Sequence, residues 1–472
     1  MILPPILVVV WGPRPSCISL SMTSKTLLVF CDGTGMDGQL SQSDTGAHAR
    51  GIRPDDVQVL FDKPGTYLRV TTVIGAQSLV GVNITDAGKT APKKDEPPVR
   101  GGTGNQQYAS NVLRLSRSVL PRTKDGKPQI VFYQSGVGAE TDFEGSSDLQ
   151  QLLAQMTGVL VASKIRDAYA FIAQNYEDGD DICIFGFSRG AYTARKLAGL
   201  IDLIGLLTRT SMGLFFTIWR ALVDGKKPDI PSDTRRVRIK CVAVWDTVGS
   251  VLNTIDALSI KDTSLPPTID VALHALSLQE NRQKFLPTLW TVPKRGLNRN
   301  QNFKQMWFPG AHSDVGGGYA RHELADLALF WIAGEIESFV NLDLAFVQRS
   351  GQPKPEPWGT SQPHNAYEEL SFAEQIVIQH ETRLESKQID TTSIFHPSLK
   401  VAPSHLNDPK YMITLETIQQ AFGSSFVPQY ASLNKFEQKC KDQWGKTPYS
   451  GPSQIPVFES PGQLFGAPVG QE

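Results

Sequence analysis

Five short stretches of near-continuous apolar residues punctuate the chain. They are Thr26–Cys31 (TLLVFC), Gln129–Gln134 (QIVFYQ), Asp181–Phe187 (DICIFGF), Val237–Trp245 (VRIKCVAVW) and Phe303–Phe308 (FKQMWF). Apolar residues on consecutive positions, not alternate ones, suit strands covered on both faces. Helical spacing lies between them, at Asn111–Leu120, at Lys164–Asn175 and at Gly190–Leu207, which follows directly from a strand. The ALHALSL stretch around His274 also carries a helical pattern. Strands alternating with helices predict an α/β fold, with a mostly parallel central sheet and helices on both faces.

The rhythm breaks twice. Residues 36–105 are rich in Gly, Asp, Lys, Thr and Pro and hold two strand-like runs, Thr66–Ile74 and Ser78–Ile84, so they read as an insertion on the sheet. Inside it, Gly88-Lys89-Thr90 resembles the end of a phosphate loop. The glycine that such a loop needs five positions earlier is replaced by Asn83, so a phosphate cradle is not specified. After a helical pattern at Leu324–Val340 come Pro-rich stretches, a weaker helical segment at Asn365–Lys387, and a Pro- and Gly-rich tail. The expected organisation is an N-terminal extension at 1–21, a catalytic domain at 22–335 carrying the 36–105 insertion, and an accessory, partly disordered region at 336–472.

Charge narrows the function classes. The formal balance is 46 − 47 = −1 over 472 residues, which gives no electrostatic reason to expect nucleic acid. The five cysteines, Cys17, Cys31, Cys183, Cys241 and Cys440, include no CxxC pair, and three sit in apolar runs. That favours a reducing, cytoplasmic compartment over a disulfide scaffold. Residues 2–10 form a short apolar run without a preceding Lys or Arg, so secretion is the lesser alternative, and Met22 stands where a chain could start just before the first strand. Neither HExxH nor paired metal-ligand spacing occurs, so no metal or cofactor is expected. No pattern specifies an oligomeric state.

The sharpest chemical signal is Gly186-Phe187-Ser188-Arg189-Gly190, placed between a hydrophobic strand and a helix. A nucleophile elbow needs that placement: the small flanking residues permit a sharp turn that exposes the serine oxygen. Ser188 is the candidate nucleophile, and the Arg189 backbone N–H a candidate oxyanion donor. Serine needs a base and an acid that orients the base. His312 lies just past the strand FKQMWF among glycines, and Asp246 ends the strand VRIKCVAVW. Asp246 ranks ahead of Asp314 for the acid role. The loop Asp32-Gly33-Thr34-Gly35 ends the first strand, and Gly33 or Thr34 would supply the second oxyanion donor. The expected fold is therefore α/β-hydrolase-like. The expected reaction is hydrolysis of a carboxylic ester, a small molecule or a lipid, through an acyl-enzyme. The alternative is a catalytically silent hydrolase fold used as a binding module. An apolar, aromatic stripe at Met212–Leu222 admits transient membrane contact, although core packing is the more ordinary use of such a stripe.

The strings FCDGTG (30–35), YQSGVG (133–138), GFSRGAYTAR (186–195), WDTVGS (245–250), HALSLQENRQKFLPTLW (274–290) and PGAHSDVGGGY (309–319) resemble an α/β-hydrolase family related to the catalytic domains of bacterial type VI secretion phospholipase effectors, with many fungal members. Order and spacing agree from about residue 25 to 335. The resemblance implies a Ser-Asp-His triad, falling on Ser188, Asp246 and His312, and an esterase or phospholipase type of activity. The chain departs from the family in the long insertion after its first loop and in Met36-Asp37-Gly38, where the family carries Asn.

Overall fold

The computed structural model describes residues 24–33, 36, 57–60, 69–72, 109–136, 149–249, 263–370, 375–376 and 378–446, with the backbone alone at 57–60, 69–72 and 149–160. The N-terminal extension, most of the 36–105 insertion with its Gly88-Lys89-Thr90 triplet, Thr34, and the tail after 446 lie outside the described residues. Within the insertion, β2 (Val57–Leu60) and β3 (Arg69–Thr72) form a separate antiparallel pair.

The main sheet contains β1 (Thr26–Cys31), β4 (Gln129–Gln134), β5 (Asp181–Phe187), β6 (Ile239–Trp245), β7 (Ile269–Ser277), β8 (Asn302–Phe308), β9 (Ile394–Phe395) and β10 (Gln429–Tyr430). Their order is β10-β9-β8-β7-β6-β5-β1-β4, and every pairing is parallel. The fold is α/β, hydrolase-like, with helices on both faces.

The apolar runs are explained by those two faces. Successive side chains of a strand point to opposite sides. Leu27, Val29, Ile182, Ile184, Val242 and Val244 bury one face against α2 (Leu149–Asn175) and α3 (Arg189–Ile204). Leu28, Phe30, Phe185, Ala243 and Trp245 bury the other against α1 (Asn111–Ser118), α6 (Glu323–Ile336) and a later helix, α7, at Lys435–Asp442. Each such aliphatic or aromatic side chain stabilises the fold by about 1.5–3 kcal/mol through burial.

Three expectations need correction. ALHALSL is not helical: it belongs to β7, the strand between β6 and β8. Both faces of this strand are buried, so the period of two that marks a strand is absent from its sequence. The stretch 365–387 is not one helix, since 366–369 and 383–387 are turns. The region after 335 is not accessory to the sheet. β9 and β10 extend it, Phe395 is fully buried with Leu276, Leu278 and Trp307 of the preceding region, and Phe436 of α7 packs in the same cluster as Trp331.

The apolar stripe at Met212–Leu222 forms a short 3-10 turn and α4 (Phe215–Val223). Phe215, Ile218 and Leu222 are buried in the core, while Leu214 and Phe216 are exposed. Phe215 packs at 4.9 Å on Tyr169, whose hydroxyl donates to the Gly205 carbonyl just past the end of α3. That end lies about 24 Å from Ser188, the length of the sixteen-residue α3.

If the sheet is one cooperative unit, Phe395→Ala should remove about 3–5 kcal/mol from global stability. Urea unfolding followed by tryptophan fluorescence should give a single transition at lower midpoint. Two separated transitions, with the larger one unmoved, would mean that the C-terminal region folds on its own.

Candidate active site

In a parallel sheet whose strand order reverses, the crevice beyond the strands' carboxyl ends at the reversal is the natural ligand site. Here the chain passes from β1 to β4 on one side, then returns to β5 on the other. Ser188 follows β5 at this point, and a Cβ built on Gly33, which follows β1, would lie 3.4 Å from that of Ser188.

The elbow is strained as the sequence pattern requires. Ser188 has φ 58° and ψ −124°, a conformation costly for a residue with a side chain. It is held there by backbone bonds. Its N–H donates to Trp245 O at 3.1 Å, and its carbonyl accepts from Tyr192 N–H at 3.2 Å. The flanking glycines are demanded by space. A Cβ on Gly186 would lie 2.5 Å from the Gly190 carbonyl oxygen, and one on Gly190 would lie 2.2 Å from that of Cys31. Arg189 opens α3, where the helix dipole favours negative charge.

Asp246 directly follows β6, is fully buried and has φ 34°. Its Oδ2 lies 2.7 Å from His312 Nδ1, and its Oδ1 accepts from Ser277 N–H at 3.0 Å. A residue absent from the sequence reading completes its shell. Arg383, fully buried, donates from Nη2 to Oδ2 at 2.9 Å. Burial alone would push the Asp246 carboxyl up. The Arg383 charge, with the hydrogen bond and charge of His312 and the Ser277 N–H, outweighs it and holds the carboxyl well below the usual carboxylate range.

His312 is the first residue of α5 (His312–Gly316). Its ring is packed between Phe187, 4.6 Å away centroid to centroid, and the edge-on ring of Phe285 at 5.2 Å. Its backbone N–H donates to Glu280 Oε2 at 3.1 Å, and Glu280 is paired in turn with Arg282. With Nδ1 on Asp246, the ring is fixed, and its Nε2 is buried with no hydrogen-bond partner among the described residues. Ser188, Arg189 and His312 line one cavity of about 400 Å³, together with Met36, Phe187, Val248, Arg282, Phe285 and Ile378.

The other expected site residues have different roles. Asp314 does not meet His312. Its Oδ2 accepts from Ala311 and His364 N–H groups, both at 2.9 Å, and its Oδ1 lies 2.6 Å from His364 Nδ1. It fixes the loop that carries His312. Asp32 is a buried anchor, accepting from Ser110 Oγ at 2.8 Å, Tyr133 OH at 2.5 Å and the Gly33 N–H at 2.7 Å. The Gly33 N–H, one of the two candidates for the second oxyanion donor, is thus engaged by the side chain of Asp32. Among the described residues, no cluster of His, Cys, Asp and Glu is placed to hold a metal ion, and no helix is long and apolar enough to cross a membrane.

A family model for the catalytic domain of Tle1-like type VI secretion phospholipase effectors matches residues 99–335, half of the chain. The chain belongs to this family. An uncharacterized protein of Saccharomyces cerevisiae is 29% identical over 218 residues, which are 40% of this chain and 31% of that protein. Among solved structures, an uncharacterized protein from Pseudomonas aeruginosa matches with TM-score 0.34 and 15% identity over 68% of this chain and 46% of its own. The Tle1 effector bound to the VgrG spike of the type VI secretion system matches with TM-score 0.31 and 19% identity over 67% of this chain and 54% of its own. The chain thus spans about a third of the yeast relative and about half of each solved chain. Superpositions this loose carry no further argument. The Tle1-like match ends at residue 335, before Arg383.

Behind the site, His274 of β7 supports the turn after Asp246. Its Nε2 accepts from Thr247 N–H at 3.1 Å, and its Nδ1 lies 3.0 Å from Oε1 of Gln305, its neighbour in register on β8. Burial, followed by the nearby Arg195 charge, pushes this imidazole down to about 3. Its ordinary value is about 6.5. The unfolded chain therefore binds the extra proton between those two values, and stability is full above about pH 6.5 and lost as pH falls towards 3. His274→Gln should melt lower than the wild type at pH 7.5 and lose less on acidification to pH about 4.5. Thermal melts at both pH values check this; equal losses in the two proteins would remove His274 from the acid response.

Proposed function

We propose that the chain is a serine hydrolase of lipid esters, with Ser188 as nucleophile, His312 as general base and acid, and Asp246 as the residue that orients His312. The observation that carries this reading is the 2.7 Å contact of His312 Nδ1 with the buried Asp246, which leaves the unpartnered Nε2 beside the cavity that Ser188 also lines. The Ser188 hydroxyl proton passes to Nε2 as Oγ attacks the ester carbonyl. The Arg189 N–H at the start of α3 stabilises the oxyanion, and Thr34 is the remaining second donor proposed from the first loop. Collapse of the intermediate expels the alcohol, which takes its proton from His312. Water, activated by the same imidazole, then releases the acid from the acyl-serine.

Membership in a phospholipase effector family favours a lipid ester, and the cavity has the matching chemistry. Phe187, Phe285, Val248, Met36 and Ile378 offer apolar surface for an acyl chain. Beside them, the Arg189 side chain has no ion-pair partner among the described residues. Burial draws its guanidinium down to about 10, which keeps it cationic at neutral pH. A cation left unpaired beside the nucleophile suits the phosphate of a phospholipid.

Fluorophosphonate labelling should modify the wild type and not Ser188→Ala, and Ser188→Ala should retain its melting temperature within about 2 °C while losing ester turnover by a factor of 10³ or more, roughly the cost of removing a catalytic serine. A folded wild type that resists the probe would favour the binding-module alternative. For Arg189→Gln, the ratio of kcat/KM on a short-chain phosphatidylcholine to that on a triacylglycerol of equal chain length should fall about tenfold, the worth of one charge-assisted hydrogen bond. An unchanged ratio would remove the phosphate assignment and leave the esterase reading standing.

A further inference from the structure

We infer that Arg383 is a positioning residue of the active site, fixing the orientation and ionisation of Asp246, so that the working site extends past the family match into the C-terminal region. The inference rests on the reading of Ser188, Asp246 and His312 as a hydrolytic triad. Arg383 Nη2 donates to Asp246 Oδ2 at 2.9 Å, the same oxygen that meets His312 Nδ1. It also donates to Ser277 Oγ at 3.2 Å, while Nε and Nη1 are buried without partners among the described residues. A guanidinium with two unsatisfied donors is costly to bury. Filling space would not require it, since an apolar side chain of similar volume fills space at less cost. What it supplies is a positive charge on the carboxylate that faces the imidazole.

The segment bearing Arg383 is laced to the loop beyond β7. Glu381 N–H donates to Asn281 O at 2.9 Å, Gln283 N–H to Gln379 O at 3.1 Å, and Gln388 N–H closes the turn on Arg383 O at 3.0 Å. Asn281 and Gln283 flank Arg282, which pairs with the Glu280 that accepts the His312 backbone N–H. The charged and titratable groups around the Asp246–His312 pair are thus Arg383 from the C-terminal region, Glu280, Arg282 and Lys284 from the loop beyond β7, His274 on β7, and Arg189 at the start of α3 across the cavity. With His312 neutral, Asp246 and Arg383 balance, as do Glu280 and Arg282.

This balance has a chemical consequence. His312 must take a proton from Ser188 and give it up again to the leaving alcohol. A lone buried carboxylate would hold the imidazolium tightly or would itself become protonated. Sharing Oδ2 with Arg383 prevents both.

The test uses the full chain and a soluble short-chain ester, with kcat and KM measured separately across pH. Arg383→Met and Arg383→Gln remove the charge. In both, kcat should fall about 100-fold, the loss expected from misplacing a catalytic group, with KM little changed. The acid limb of kcat/KM should move up by about one pH unit, because removing a nearby cation favours protonation of the pair. Arg383→Lys should return the acid limb towards the wild-type position. A folded uncharged variant with wild-type kcat and pH profile, changed only in melting temperature, would overturn the inference.

If neither uncharged variant folds, Arg383→Lys decides, since a single ammonium cannot hold both Oδ2 and Ser277 Oγ at guanidinium geometry. Reduced kcat at unchanged KM supports the inference, and wild-type kcat overturns it. Should the wild type resist both ester and fluorophosphonate, the triad reading fails on its own. Arg383 is then judged from the low-field Nδ1 proton of His312 by NMR. That signal should vanish in Asp246→Asn and shift in Arg383→Lys, and an unmoved signal in the latter overturns the inference.

Discussion

A carboxylate without exposed surface is tolerable only where every side of it meets a donor, and Asp246 organises the molecule around that demand. Its donors come from three distant parts of the sequence. Ser277 ends β7, His312 begins α5 after β8, and Arg383 lies in the region beyond. The parallel register aligns the ends of β6 and β7, with Trp245 opposite Ala275, so that the next backbone N–H groups fall beside the carboxylate. Removing any of the three donors leaves charge or polarity stranded in a dry interior. The fold and the site are therefore stabilised by the same contacts.

The elbow imposes a second constraint, of volume. Gly190 sits against the carbonyls of Cys31 and Asp32, so the first turn of α3 lies directly on the end of β1. That closeness puts the loop after β1 beside Ser188. It also explains why Asp32 is locked by Ser110, Tyr133 and the Gly33 N–H. A loop pressed against the strained Ser188 turn must be rigid, and a buried carboxylate with three donors makes it so. The strain at Ser188 is borne by this packing, with Trp245 and Tyr192 fixing its backbone on either side.

Much of this was legible in the sequence where the signal is local. The strands at Thr26–Cys31, Gln129–Gln134 and Asp181–Phe187 have the bounds read from their apolar runs, because turn residues flank each run closely. The strand-to-helix placement of Ser188 was legible for the same reason. β7 was not, since burial on both faces erased its alternation and left a spacing that imitates a helix. Arg383 was not legible either. It lies 137 positions from Asp246, in a segment whose turns carry no periodicity, and an isolated arginine has no pattern that announces burial. The C-terminal strands are two residues long, too short for any pattern to register, yet Phe395 is fully buried by them.

The buried histidines give a physical criterion that separates support from chemistry. His274 has Thr247 on one ring nitrogen and Gln305 on the other. His396 is likewise held by Ser398 and Glu437. Both are satisfied on both sides, as a core histidine must be to offset its desolvation. His312 is as deeply placed, with Asp246 on one nitrogen, yet its other nitrogen is unpartnered beside a cavity. Leaving that atom bare costs about 1–3 kcal/mol, the cost of an unsatisfied buried acceptor. The cost is rational if the missing partner arrives with each turnover, as a serine proton and then as a leaving alcohol.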